Sequence, residues 1–160
     1  MKNTTLIIHC VILICVILLQ AYFPMIYMGD ITISPDIALV YISIMAILYS
    51  RFRIILLAFI LGLLQDLISQ VSLLGLFSFI KSLSAFSFGF IKLHESVWNV
   101  NLKRFVLILI YFIHFFIYFY IIINDNGSWI IILQYSLLQT IFTYGIFGIL
   151  NSFIFKRRII

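Results

Sequence analysis

Apolar segments long enough to be membrane spans follow one another along almost the whole chain, separated by breaks of only a few polar residues. Runs of about 18 or more apolar residues read as transmembrane helices. Their close succession leaves no stretch for a separate soluble domain. Composition agrees: 65% of the 160 residues are hydrophobic and 9% are charged. A soluble domain is roughly half apolar and a quarter charged, so there is too little polar surface here to cover a water-soluble globule. The expectation is an all-α membrane protein, one polytopic domain built as a compact bundle of six transmembrane helices.

The spans are placed at residues 5–23, 36–50, 54–69, 73–91, 105–123 and 129–155. Lys2 followed by the apolar run 6–19 resembles a signal peptide. No small-x-small cleavage site follows it, and the run is read as a retained first span ending at Pro24. Ser34-Pro35-Asp36 is a helix-start signal for the second span. Arg51-Phe52-Arg53 is read as the only separation between the second and third spans, which are short and form a tight antiparallel hairpin, with a re-entrant pair and a lower span count as the alternative. Residues 92–104 form a longer polar connection, and Asn124-Asp125-Asn126-Gly127 a turn.

The cations fix the orientation. Lys2, then Arg51 and Arg53, then Lys92, Lys103 and Arg104, then Lys156, Arg157 and Arg158 occupy every second border. The intervening loops 24–35, 70–72 and 124–128 contain no Lys or Arg. With six spans, nine of the ten basic residues share one side. The positive-inside rule makes that side cytoplasmic, with both termini in the cytoplasm. The net charge of +5 is therefore read as an orientation signal and not as nucleic-acid binding.

Lys81 is the tenth cation and the exception. It lies about eight residues into the fourth span, roughly 12 Å along it at the helical rise. A charge at that depth costs at least about 2.5–3.5 kcal/mol and should face protein or a water-filled cavity. Ser78, Ser82, Ala85 and Gly89 form a small-residue stripe on the same helix, suited to close backbone approach, and Lys81 flanks it. The nearest candidate counter-charge is Asp66, near the outer end of the third span, with Asp36 second. The readings are a polar site within the bundle, a buried structural pair, or a lysine that snorkels outward. Asp66 has a bland reading as well, an interfacial acid that stops its helix.

Other chemistry is sparse. His9, His94 and His114 sit on separate segments without metal-site spacing. His94-Glu95 does not begin a zinc-protease motif, because position 98 is Trp. Cys10 and Cys15 are five residues apart on one helix, on different faces and too far for a disulfide, and are read as inert buried thiols. The aromatic run at 111–120 is read as lipid-facing and packing surface, and Trp98 and Trp129 as interfacial rings. No nucleophile-and-base pair or phosphate loop occurs, so no catalytic, metal or cofactor site is expected.

One set of residues carries a family resemblance. Pro35-Asp36 stands near the start of the second span, followed by Arg51 and Arg53, then Gly62-Leu63-Leu64-Gln65-Asp66, then Leu74-Gly75. In order, spacing and total length this pattern resembles the rod shape-determining protein MreD family, with Pro35, Asp36, Gly62, Asp66 and Gly75 as the motif positions. Lys81 departs from the pattern, since an uncharged residue is expected there. The resemblance implies a non-enzymatic component of the bacterial inner membrane. It would partner the bitopic protein MreC, and through it MreB filaments and the peptidoglycan synthases of the elongating wall. It also implies a fold similar to the substrate-binding (S-component-like) subunits of energy-coupling-factor vitamin transporters. A small-molecule-binding subunit of such a transporter is the alternative, motivated by Lys81, Asp66 and that fold. The Ala-x-x-x-Ala docking pattern of those subunits is missing here, because the first span has only Ala21. Self-association is compatible with either reading, and no nucleic-acid partner is expected.

Overall fold

The computed structural model describes residues 2–24, 26–28, 31–69, 74–123 and 129–155. Among them are six helices, α1 (Lys2–Tyr22), α2 (Ile37–Leu48), α3 (Arg51–Ser69), α4 (Leu76–Leu93), α5 (Val100–Ile123) and α6 (Trp129–Phe155). Between α1 and α2 lies a short antiparallel hairpin, β1 (Ile26–Met28) and β2 (Ile31–Ile33), in the register Ile26↔Ile33, Tyr27↔Thr32 and Met28↔Ile31. The expected loops at 70–72 and 124–128, Asp30 and the terminal Lys156-Arg157-Arg158 lie outside the described residues. So do the side chains of Lys2, His9 and Cys10.

The helices coincide with the apolar segments because a helix satisfies its own backbone polar groups wherever water is scarce. Leu76–Leu93, Val100–Ile123 and Trp129–Phe153 are each long and apolar enough to cross a membrane. By contrast, α2 has 12 residues, about 18 Å at 1.5 Å per residue, against a hydrocarbon core of about 30 Å.

α2 is the central helix. It is apolar on every side, and Ala38, Leu39, Val40, Tyr41, Ile42, Ser43, Ile44 and Ala46 are all buried. A helix without a polar face is stable only when enclosed, and α1, α3, α4 and α6 pack around this one.

Two boundaries differ from expectation. Arg51-Phe52-Arg53 does not separate α2 from α3, since α3 begins at Arg51. The chain breaks instead at Tyr49, in extended conformation (φ −106°, ψ 166°), and the first α3 bond runs from Ile54 N–H to the Ser50 carbonyl. α5 starts at Val100 and not near residue 105, because Asn99 supplies an N-terminal cap. The carbonyl of Asn99 accepts from Lys103 N–H at 3.0 Å and its side-chain oxygen from Asn101 N–H at 3.4 Å.

α3 and α4 form the closest helix pair. A Cβ placed on Gly62 would lie 2.4 Å from Ser78 Cα, so the backbones touch where only glycine fits. At the other end Arg51 lays its aliphatic stem across Gly89 and its guanidinium over Phe86 and Phe90, 3.7 and 4.4 Å from the ring centroids. The small-residue stripe of α4 therefore meets α3 at both its ends.

Candidate functional site

The helix ends that share one side of the bundle enclose a buried polar cluster. Its centre is Asp36, the N-cap of α2 and 4% exposed. Asp36 Oδ1 accepts from Leu39 N–H at 2.8 Å. Gln20 of α1 reaches across, its Oε1 accepting from Ile37 N–H at 2.6 Å and Ala38 N–H at 3.4 Å. Between them the two side chains satisfy the orphan amides that open any helix, which is essential for a helix that starts inside the bundle. Thr143 of α6 accepts from Asp36 N–H at 3.3 Å, and Gln139 of α6 donates to the Ser34 carbonyl.

Lys81 meets Asp36. Its Nζ lies 2.7 Å from Asp36 Oδ1, and its side chain is fully buried. This corrects the expectation that Asp66 is the nearer counter-charge, and it excludes an outward-snorkelling lysine. The reason is that Asp66 is already engaged. Its Oδ1 accepts from Phe77 N–H at 3.0 Å, and its Oδ2 from Ser78 N–H at 3.2 Å and Ser78 Oγ–H at 2.8 Å. The carboxylate caps α4 from the neighbouring helix, where the amides and the dipole both favour negative charge. The bland reading of Asp66 as an interfacial helix stop is replaced too, because it is 2% exposed. Gly75 precedes α4 at φ +100°, a conformation that costs an L side chain about 1–2 kcal/mol.

His114 completes the cluster from α5. Its Nδ1 is 2.8 Å from Ser84 Oγ, and its Nε2 is 3.8 Å from Asp36 Oδ2, too far for a direct hydrogen bond. Ser84 Oγ also lies 2.9 Å from the Ile80 carbonyl. The direction of the bond between Ser84 and His114 follows the tautomer of the ring, and an Nε2–H would face the Asp36 carboxylate. One turn away Tyr111 is fully buried and 2.7 Å from Ser43 Oγ. Ser43 Oγ also lies 2.7 Å from the Val40 carbonyl. The aromatic run at 111–120 is both packing and outward-facing surface, as its reading has it: Tyr111, His114 and Phe115 are buried, while Ile113 and Tyr120 are exposed.

A cavity of about 340 Å³ lies beside the cluster, lined in part by Gln20, Ser34, Gln65, Phe77 and Tyr118. A smaller recess of about 50 Å³ shares those five residues and adds Asp36, His114, Phe115 and Gln139. The Asp36 carboxylate and the His114 ring line this smaller recess.

The remaining expected residues are dispersed. Lys92 Nζ donates to the Tyr49 carbonyl at 2.8 Å and so covers the C-terminal end of α2. His94 stacks between Phe90 and Trp98 on the opposite side of the bundle from Asp36. Among the described residues no group of three or more His, Cys, Asp or Glu could hold a metal ion. Cys15 is exposed, contrary to its reading as a buried thiol, because α1 packs only one face against the bundle. Pro35 lies at the join between β2 and α2, where its carbonyl accepts from Gln20 Nε2.

Asp36 and Asp66 were singled out from sequence, but their roles were assigned in the wrong order. His114, Ser84, Gln20 and Gln139 were missed as cluster members. The available signal was the spacing of Tyr111, His114 and Phe115, three and four residues apart on one stripe of an otherwise apolar helix. No protein-family model matches the chain, and neither a curated protein nor a solved structure matches it.

Proposed function

We propose that this chain is a non-enzymatic, multi-pass component of a bacterial inner membrane that works by assembling with other membrane proteins. In this reading it serves the cell-elongation machinery as the MreD family does, partnering an MreC-like bitopic protein and through it MreB and the peptidoglycan synthases. The observation that carries the reading is the use made of the two motif carboxylates. Asp36 ties the start of α2 to α4 through Lys81 and to α6 through Thr143, and Asp66 ties α3 to α4. Gly62 brings the same two backbones into contact. The motif thus specifies joints between helices, which is what a rigid scaffold for partner helices requires, and both acids are consumed in holding the bundle together. The six-span weave with cytoplasmic termini is part of the proposal, resting on the alternation of the cations.

Affinity purification of the tagged chain from native membranes should recover an MreC-like bitopic protein. Its absence, under detergent conditions that keep other membrane complexes intact, would refute the assignment. Reporter fusions should place residues 98 and 158 in the cytoplasm, and a periplasmic signal at either would overturn the weave independently of the partner.

A further inference from the structure

At the C-terminal end of α2, away from Asp36, the ends of α2, α4 and α5 form a shallow groove. Ala46, Phe88, Ile91 and Leu107 supply apolar walls, and Lys92, Glu95 and Lys103 supply charge. Lys92 lies in the last turn of α4 and Lys103 in the first turn of α5. Both helices are long and apolar enough to cross a membrane, so the two lysines stand at the depth of lipid headgroups. Phe88 is one turn deeper than Lys92, and Leu107 one turn deeper than Lys103. The groove therefore runs from cations at the membrane border to an apolar surface below them, the same order in which a phospholipid presents its headgroup and its chains.

Charge and size narrow the choice of occupant. Among the described residues, no ion pair engages Lys92, Lys103 or Glu95. Lys92 Nζ donates to the Tyr49 carbonyl at 2.8 Å, which uses one of the three protons an ammonium carries. Both lysines are half-buried, so an anion in the groove meets them partly out of water. Two lysines against one glutamate leave the lining with one net positive charge, which a single negative charge balances. The unfilled space is about 30 Å³, room for roughly two or three water-sized groups at ~10–15 Å³ each. That is too little to enclose a soluble ligand. It seats a few atoms of a molecule whose remainder lies along the outside of the bundle, and basic recesses between membrane helices hold anionic headgroups in this way.

We propose that this groove binds an anionic phospholipid whose headgroup carries one negative charge and free hydroxyls, the chemistry of phosphatidylglycerol. The phosphate oxygens accept from Lys92 and Lys103, a headgroup hydroxyl donates to Glu95, and the first carbons of an acyl chain lie against Phe88, Ile91 and Leu107. Phosphatidylcholine has no proton to give Glu95. Phosphatidylethanolamine has one, but like phosphatidylcholine it brings no net charge and leaves the positive charge of the groove unbalanced. The proposal goes beyond the scaffold reading and does not depend on it, because it requires only that α4 and α5 cross the membrane.

The test ranks lipids. The full chain, purified in neutral detergent, is incubated with equal amounts of phosphatidylglycerol, phosphatidylethanolamine and phosphatidylcholine, and retained lipids are counted by native mass spectrometry. Phosphatidylglycerol should be the first lipid retained, by at least about fivefold over either of the others, the factor expected for one basic residue acting on an anionic lipid. Lys103→Gln should lower that preference by about fivefold on the same grounds. Arg53→Gln is the control, since Arg53 is exposed in the first turn of α3 and does not line the groove; it should leave the preference unchanged. Lys92 is not the residue to vary, because it also holds the end of α2. The ranking is measured on the unaltered chain, so it tests the proposal even where a variant fails to fold. A hundredfold excess of glycerol 3-phosphate should not displace the lipid, because it lacks the chains that engage the apolar walls. Equal retention of the three lipids, preference for phosphatidylethanolamine, equal losses in Lys103→Gln and Arg53→Gln, or displacement by glycerol 3-phosphate would overturn the proposal.

Discussion

Neutralising Lys81 and Asp36 singly and together is the sharpest test of the cluster. Lys81→Met keeps the length of the side chain and removes its charge. Asp36→Asn keeps the N-cap, because asparagine accepts from the N3 amide as well as aspartate does, so the substitution isolates charge from capping. At the observed separation of 2.7 Å the Coulomb attraction is about 6 kcal/mol for an effective dielectric near 20. Much of that offsets the desolvation of two buried ions, so the net worth of the pair is far smaller. Breaking it is another matter. A single neutralisation strands one uncompensated charge in the bundle and should cost about 3–5 kcal/mol. The double variant strands none, and its loss should fall short of the summed single losses by about 3 kcal/mol or more.

Reversible unfolding in mixed micelles, with anionic detergent as denaturant, gives the three free energies. A parallel cycle with Lys81→Met and Asp66→Asn supplies the control. Asp66 is satisfied by Phe77 and Ser78 and acts on Lys81 only through space, so that cycle should show a much smaller coupling than the Asp36 cycle. Additivity in the Asp36 cycle, or coupling of similar size in both, would refute the pairing on which the cluster is built.

Two further predictions concern the helix joints. Gly62→Ala should destabilise by about 1–3 kcal/mol, because its methyl would fall 2.4 Å from Ser78 Cα, backbone that cannot yield. Gly89→Ala meets only the flexible stem of Arg51 at 2.6 Å and should cost less, while Gly145→Ala has nothing within 4 Å and should gain up to about 1 kcal/mol of helix propensity. That rank order is read from melting temperatures in detergent, and equal effects at all three positions would contradict the packing. Asp66→Ala should lose about 1–2 kcal/mol as a lost N-cap, with Asp66→Asn recovering part of it. A fully silent Asp66→Ala in the same unfolding assay would show that the clasp is not formed.

The helices were legible because apolar runs and their polar breaks report directly where the backbone must satisfy itself. The hairpin at Ile26–Ile33 was missed although its signal was present. Ile-Tyr-Met and Ile-Thr-Ile, all strand formers but for Met28, flank Gly29-Asp30, a pair of residues that suits a two-residue turn. The contrast with the long apolar runs made the segment read as a polar connection. The ion pair failed for a different reason. Along the chain Asp66 is 15 positions from Lys81 and Asp36 is 45, so proximity in sequence favoured the wrong acid. Which helices are neighbours is a tertiary property, and no local pattern contains it.

A physical rule would nevertheless have separated the two acids. An aspartate on the last turn of one helix, followed by a short loop and a second helix, sits beside that helix's open amides. Capping satisfies it without any cation, and burial then costs little. Lys81, five positions beyond Leu76, is deeper and cannot be satisfied by amides, which are donors like itself. It requires an acid delivered into the interior, and only a helix that begins inside the bundle delivers one there. α2 is that helix. Its brevity, the N-cap at Asp36 and the burial of Lys81 are therefore one arrangement: a helix long enough to start at the surface would carry its capping acid out of reach of the lysine. The same arrangement accounts for the adjoining space, since stopping α2 short leaves the volume above its N-terminus to Gln20, Ser34 and Tyr118. Extending α2 by one turn at its N-terminus should close the cavity and unpair Lys81 together, and a variant that did one without the other would show that the two features are independent.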